Sequence, residues 1–277
     1  MKPRNLLLAI ATLTMFAFSS CKKVADTTAE VQTTFDLAGD QAVASNLTQD
    51  ANDMLNDAAE QDARLGGRGV NPVESSLLPP CATVTVTGAF PNKLIVIDFG
   101  TICTFNGVTR SGKINISLSD SIKKPGSVAN ITFTNYVVNG HKKEGELTLT
   151  NTSVLPGRSV HRKMVNGKIT RLLDGKFWLH NGEQDITQTA GVGTPQRADD
   201  AFSIEGNSTV TNSAGQSRTT TILEALQKKV SCHFIDKGKI KVQGPNHFAI
   251  IDFGNGTCDN KATLSIDGNP PRDITLH

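Results

Sequence analysis

Aromatic residues are scarce in this sequence, with 12 Phe, 1 Trp and 1 Tyr among 277 residues. From residue 81 onward Lys and Arg exceed Asp and Glu by six, but these charges are scattered and no aromatics are interleaved with them. The pairing of stacking side chains with phosphate-binding cations that marks a nucleic-acid surface is therefore missing, and the surplus reads as solubility. No two cysteines stand in CxxC spacing and no histidines form an HExxH pair, which removes the common zinc sites. His141, His161, His180, His233, His247 and His277 read as surface residues at turns and strand ends. Asp252, Asn255 and Asp259 offer oxygens to a cation, but their spacing matches no EF-hand loop. Thr109-Arg110-Ser111-Gly112-Lys113 has neither the length nor the following helix of a phosphate loop. The expectation is no cofactor, no metal and no nucleic-acid partner.

What is present is a stretch written twice. Pro91-Asn92-Lys93-Leu94-Ile95-Val96-Ile97-Asp98-Phe99-Gly100 returns 154 positions later as Pro245-Asn246-His247-Phe248-Ala249-Ile250-Ile251-Asp252-Phe253-Gly254, with six of ten positions identical. Each copy lies between two cysteines, Cys81 and Cys103 around the first and Cys232 and Cys258 around the second. If each copy is a hairpin turning near its proline, the two arms are nearly equal and both cysteines come to its open end. This predicts Cys81–Cys103 and Cys232–Cys258 bridges. Phe99 and Phe253 read as core plugs, and Gly100 and Gly254 as positions needing unusual dihedrals.

The fifth cysteine has a different setting. Met1-Lys2-Pro3-Arg4 is a short basic start, the apolar run to Phe18 is too short to span a bilayer as a mature helix, and Ser19-Ser20-Cys21 follows. This pattern resembles the lipobox of bacterial lipoproteins, which implies a signal peptide over 1–20 and lipid on Cys21. Lys22-Lys23 supplies no aspartate of the kind that goes with inner-membrane retention, so the expected address is the outer membrane, facing periplasm or cell surface. A plain secretory signal with an incidental cysteine is the alternative.

Residues 24–63 hold nine acidic residues and no Lys or Arg. Val43, Leu47, Ala51, Met54, Leu55 and Ala58 recur at helical spacing, with Asp40 as a candidate cap and Gly66-Gly67 as a stop, which predicts a short helix over 40–64. Its apolar stripe is thin, so 21–80 reads as anchor, acidic arm and linker: a solvated spacer, or an arm that binds a partner or lies loosely on its own more basic β domain.

The β domain is expected over 81–277. Thr83-Val84-Thr85-Val86-Thr87 alternates strictly, Leu94-Ile95-Val96-Ile97 is continuously apolar, and further strands are expected over 113–120, 130–138, 144–150, 202–210, 216–223, 262–266 and 273–276. Asn106-Gly107, Asn139-Gly140, Asn166-Gly167 and Asn181-Gly182 read as hairpin tips, placing two hairpins within 157–189; Leu223-Glu224-Ala225-Leu226 reads as a possible helical turn. Short-looped antiparallel strands imply an all-β fold, as a two-sheet sandwich first and one curled meander sheet second. The lysine pairs 123–124, 142–143 and 228–229 read as edge protection, and Phe177-Trp178 as a buried core pair rather than a sugar platform.

The segment Ile251-Asp252-Phe253-Gly254-Asn255-Gly256-Thr257-Cys258-Asp259-Asn260-Lys261-Ala262-Thr263-Leu264 resembles the closing segment of uncharacterised Bacteroidetes-type envelope lipoproteins with repeated Ile-Asp-Phe-Gly and Cys motifs. Cys103 followed by Asn106-Gly107-Val108-Thr109-Arg110-Ser111-Gly112-Lys113-Ile114 is similar to their internal motif. The resemblance covers roughly 81–120 and 232–277, and the first copy lacks Asp-Asn-Lys-Ala-Thr. It implies an address and a β fold, and supplies no catalytic residues.

Three functions are compatible with these features. One is a non-enzymatic lipid-anchored protein whose β surface binds an envelope glycan or protein or is structural. Another is an envelope hydrolase using Asp98 and Asp252 as a paired acid and base, against a structural role in which each carboxylate fixes its own loop. The third is a hydrophobe carrier with a cavity inside a curled sheet.

Overall fold

The computed structural model describes residues 20–65, 78–154, 157–194 and 197–276, without the side chains of 20–27 and 60–65. Residues 1–19 of the signal peptide expected over 1–20 and the Gly66-Gly67 stop lie outside the described residues, and of Ser20 and Cys21 only the helical backbone is described.

Among the described residues, one long helix, α1 (Ser20–Leu65, 46 residues), precedes fourteen strands. These are β1 (Thr83–Thr87), β2 (Lys93–Asp98), β3 (Cys103–Phe105), β4 (Val108–Leu118), β5 (Val128–Val138), β6 (His141–Asn151) and β7 (Ser159–Arg171), followed by β8 (Phe177–Ala190), β9 (Ala201–Asn212), β10 (Ser217–Lys229), β11 (Lys237–Gln243), β12 (Phe248–Asn255), β13 (Lys261–Ile266) and β14 (Arg272–Thr275). They form one antiparallel sheet in nearly sequential order from β1 to β14, with β3 as a side branch on β4. The curled meander is therefore the observed form of the all-β expectation, and the two-sheet sandwich is not.

The sheet curls because most of its strands carry an extra residue or a glycine in mid-length. Pairing registers shift between Ser111 and Lys113, Thr132 and Val137, Glu144 and Glu146, and Met164 and Gly167. A bulge bends its strand and increases local twist, and bulges on successive strands turn a flat sheet into a trough. Gly112 shows why glycine stands at one such corner: its φ is +76° and an added Cβ would lie 2.1 Å from the Asn135 carbonyl oxygen. The same bulging accounts for two departures from expectation. Asn166-Gly167 and Asn181-Gly182 are mid-strand positions of β7 and β8, so 157–189 holds one long hairpin, not two. Leu223-Glu224-Ala225-Leu226 likewise belongs to β10, where register shifts absorb the residues that a helical turn would have used.

The trough wraps α1. Over 40–59 every helix residue is buried except half-buried Asp50. The helix is neither short nor confined to 40–64, and it does not lie loosely on the domain. Asp40 is an interior residue of α1 because the Thr-rich turns before it, weak in helix propensity, are held by tertiary bonds: Arg218 donates to Thr34 at 2.9 Å and Asn246 to Glu30 at 2.7 and 2.8 Å. Leu37, Leu47, Met54 and Leu55 join Ile95, Ile97, Ile114, Ile131, Leu147, Ile251 and Leu264 in one core.

Both disulfides are formed as the spacing predicted, Cys81–Cys103 and Cys232–Cys258. The registers of the two hairpins also agree residue for residue: Val84 faces Ile97 and Val86 faces Ile95, while Ile240 faces Ile251 and Val242 faces Ala249. Because every neighbour along the path is antiparallel, successive connections alternate between two rims. The Pro91 turn lies at one rim and the Pro245 turn at the other, so the repeated unit is used twice in opposite orientation. Removing the first bridge with a Cys81→Ala/Cys103→Ala pair releases a 22-residue loop; denaturant unfolding should show a loss of about 3 kcal/mol with the sheet retained in circular dichroism.

Candidate functional site

Asp98 and Asp252 follow one pattern. Each accepts a hydrogen bond from the glycine two residues on, Gly100 N–H to Asp98 Oδ1 and Gly254 N–H to Asp252 Oδ1, both at 2.9 Å. Each also meets a lysine of a neighbouring strand, on opposite sides in the two copies: Lys113 of β4 at 2.8 Å and Lys239 of β11 at 3.5 Å. The Lys113 ammonium, then the Gly100 N–H, hold the Asp98 carboxyl below its ordinary value. Strand alternation sends Ile97, Phe99, Ile251 and Phe253 into the core, and the two aspartates outward. Eight strands separate β2 from β12 along the sheet, and the inverted repeat puts the aspartates toward opposite rims. The structure therefore does not bring them together in one cleft; it gives each its own loop to fix. Phe99 and Phe253 plug the core, and Gly100 and Gly254 have φ of +63° and +91°. Beside Asp252 lies an open recess of about 260 Å³ that includes Asn255, Asp259 and Lys261. Among the described residues no group of three or more His, Cys, Asp and Glu side chains is arranged to hold a metal ion.

The charged side chains that are brought together lie inside the trough. On α1, Asp50 receives Arg110 Nε at 3.2 Å and a second, shorter bond from the same guanidinium, and Tyr136 donates its hydroxyl at 2.5 Å. Asp53 pairs with Lys228 at 3.0 Å, Asp57 with Arg197, and Asp40 with Lys176 at 3.1 Å. Neutral helix positions serve the remaining cations. Lys143 donates to Thr48 Oγ1 at 2.9 Å, Arg162 to Gln49 Oε1 at 3.0 Å and Arg158 to Asn56 Oδ1 at 2.6 Å, while Ser208 donates to Gln41 Oε1 at 3.2 Å.

This arrangement overturns several expectations about individual residues. Lys143 and Lys228 protect no edge; both are inward-facing and about 1% exposed. His141 and His180 are buried rather than at the surface, His180 within 3.5 Å of Gln41. Trp178 is buried, but Phe177 is on the opposite face of β8 with Lys168 over its ring, so the two are not a core pair. The sequence holds a signal for the buried cations that residue-type reasoning passed over. Val108-x-Arg110, His141-x-Lys143, Val160-x-Arg162-x-Met164 and Leu226-x-Lys228-x-Val230 place each base in the apolar phase of a period-two strand, the phase that faces the core.

The electrostatics of the interior are unequal. Burial alone would raise the Asp50 carboxyl, but the Arg110 guanidinium and the Tyr136 hydroxyl outweigh it and the net shift is downward. Burial raises Asp40, and Lys176 offsets only part of this. Among the described residues Lys143 has Thr48, and no carboxylate, as a hydrogen-bond partner. Burial, with Arg162 adding repulsion, lowers its ammonium to about 7, and Arg162 itself is lowered by burial to about 10. Burial together with Lys143 and Arg162 lowers His180 to about 3. No family model, curated protein or solved structure matches this chain.

Chemically, the arrangement locks a helix into a sheet: Asp40, Asp50, Asp53 and Asp57 are held by salt bridges, and Gln41, Gln49 and Asn56 accept from hydroxyl and guanidinium donors. Two outcomes follow. Arg110→Met should cost about 3 kcal/mol in chemical denaturation, because it leaves the largely buried Asp50 carboxylate without its cation, with only the Tyr136 hydroxyl to hold it. Lys143 binds its proton less readily folded than unfolded, so stability should fall as pH drops from about 10.5 toward about 7 and level off below that. Lys143→Met should remove that slope and raise the melting temperature at pH 7; an unchanged slope would contradict a lowered Lys143 ammonium.

Proposed function

We propose that the chain is a non-enzymatic lipid-anchored protein of the cell envelope, held to the outer membrane through Cys21, whose outer β surface binds an envelope glycan or protein or serves a structural role. The single observation that supports this most is the occupancy of the trough. A carrier needs an enclosed apolar cavity and a barrel hydrolase needs a reachable interior, but here the interior is taken by residues 40–59 of the chain's own helix. The hydrolase reading through paired aspartates also lacks support, since Asp98 and Asp252 face outward toward opposite rims. What the molecule offers a partner is its convex sheet face and its loops.

The anchor reading draws on the basic start, the apolar run and Ser19-Ser20-Cys21, together with the resemblance to Bacteroidetes-type envelope lipoproteins. A feature of the fold agrees with it. Nine helical rises, roughly 14 Å in an α-helix, separate Cys21 from Glu30, which bonds the Pro245 rim. A tether at Cys21 would then hold the domain on a stiff stalk continuous with its own core. Expressed in a bacterium with lipoprotein processing, the wild-type chain should sediment with outer membranes and carry an acyl-modified N-terminal cysteine by mass spectrometry. Cys21→Ser should appear in the soluble envelope fraction, and a wild-type chain found soluble and unmodified would refute the reading.

A further inference from the structure

The two copies of the repeated unit differ in one respect that concerns partners. In the second copy, β11 is bonded on one side by β12 and on the other by β10. In the first copy the equivalent strand β1 is bonded by β2, and among the described residues no strand pairs with its other side. The equivalence is set by register: Val84 and Val86 stand where Ile240 and Val242 stand, 156 positions on. The segment of β10 that fills the side of β11 is Thr219-Thr220-Thr221-Ile222, which lies along Gln243 to Ile240. One copy of this unit therefore shows what the open side of the other accepts, a Thr-rich β-branched strand in antiparallel register.

Edge strands are normally blunted by charge, proline, a bulge or extreme shortness, because their unpaired backbone groups template further pairing. The far edge, β14, follows this rule with Arg272-Asp273 in a four-residue strand. β1 does not: Thr83-Val84-Thr85-Val86-Thr87 has no charge, no proline and an unbroken register with β2. Its threonines are exposed, Val84 and Val86 are only partly buried, and Leu94 beside it on β2 is 48% exposed. The Cys81–Cys103 bridge flanks the strand and limits the ordering that pairing would require.

We propose that β1 is the docking edge for a second copy of this chain, through antiparallel β1-to-β1 pairing about a two-fold axis. Thr-Val-Thr-Val-Thr reads the same in both directions. A register centred on Thr85 sets Thr83 against Thr87 on the outer face and Val84 against Val86 on the core face, the cross-strand pairs that antiparallel ladders favour. It brings together a strand of the composition that β10 supplies in the second copy, without opposing charges. A five-residue ladder is small against the ~1,000 Å² of a stable interface, so the dimer is reversible and concentration-dependent. The inference goes beyond the proposed function and does not depend on lipid attachment.

Sedimentation velocity of the full chain in detergent, over a range of concentrations, tests it. The wild type should shift from monomer to dimer as concentration rises. Thr85→Lys and Thr85→Glu should each remain monomeric with unchanged circular dichroism and melting temperature, since Thr85 is exposed, and mixing the two variants should restore dimers. Thr275→Lys on the far edge should dimerise like the wild type. A wild type that stays monomeric throughout overturns the proposal, as does a dimer indifferent to charge at position 85 or one abolished equally by Thr275→Lys.

Discussion

Burying an acidic helix is possible only if each carboxylate that leaves water finds a fixed partner, and that condition governs the rest of this structure. A carboxylate moved alone into an apolar interior is costly enough to neutralise itself or to unfold its surroundings. Here Asp50, Asp53 and Asp57, three and four residues apart, meet Arg110, Lys228 and Arg197 contributed by two strands and a loop far apart in sequence. Partners at such fixed spacing allow the helix one axial position and one rotation. Apolar contacts through Leu47, Met54 and Leu55 contribute burial, while the ion pairs define register.

The sheet has to comply with that helix. A flat meander of this many strands would leave one face of apolar residues uncovered; the bulges through the middle strands bend it until inward residues from β2 to β13 join one core around α1. Among the described residues the same bending leaves two unclosed edges, β1 and β14. Once the concave side is filled, what the sheet leaves exposed is its convex face, its rims and those edges. The inverted use of one disulfide-stapled hairpin places a similar unit near each end of the strand order. A unit whose outer strand is covered in one copy and open in the other links the architecture to a question of partners.

Much of the β domain was legible in residue pattern. Alternation in 83–87, the continuous apolar run at 94–97 and the cysteine spacing are local properties, so the two hairpins and both bridges could be read from them. Asn166-Gly167 and Asn181-Gly182 misled because Asn-Gly suits a tight turn and also suits a bulge, and only the neighbouring strand decides which forms. The helix was underestimated for a similar reason. Its thin apolar stripe describes one side, and the polar remainder is indistinguishable in sequence from a solvated face until the cations that will receive it are located.

Composition and order alone determined the class of backbone, the duplicated hairpin, the pairing of its cysteines and the acidic character of the segment that precedes the sheet. Tertiary structure decided that this segment is the core and not an appendage, that Lys143, Lys228, His141 and His180 face inward, and that Asp98 and Asp252 stand apart. The physical reason is range. Propensity and periodicity act between residues a few positions apart, whereas the free energy of a buried charge depends on a partner tens to more than a hundred and fifty residues away, whose position exists only after the sheet has curled.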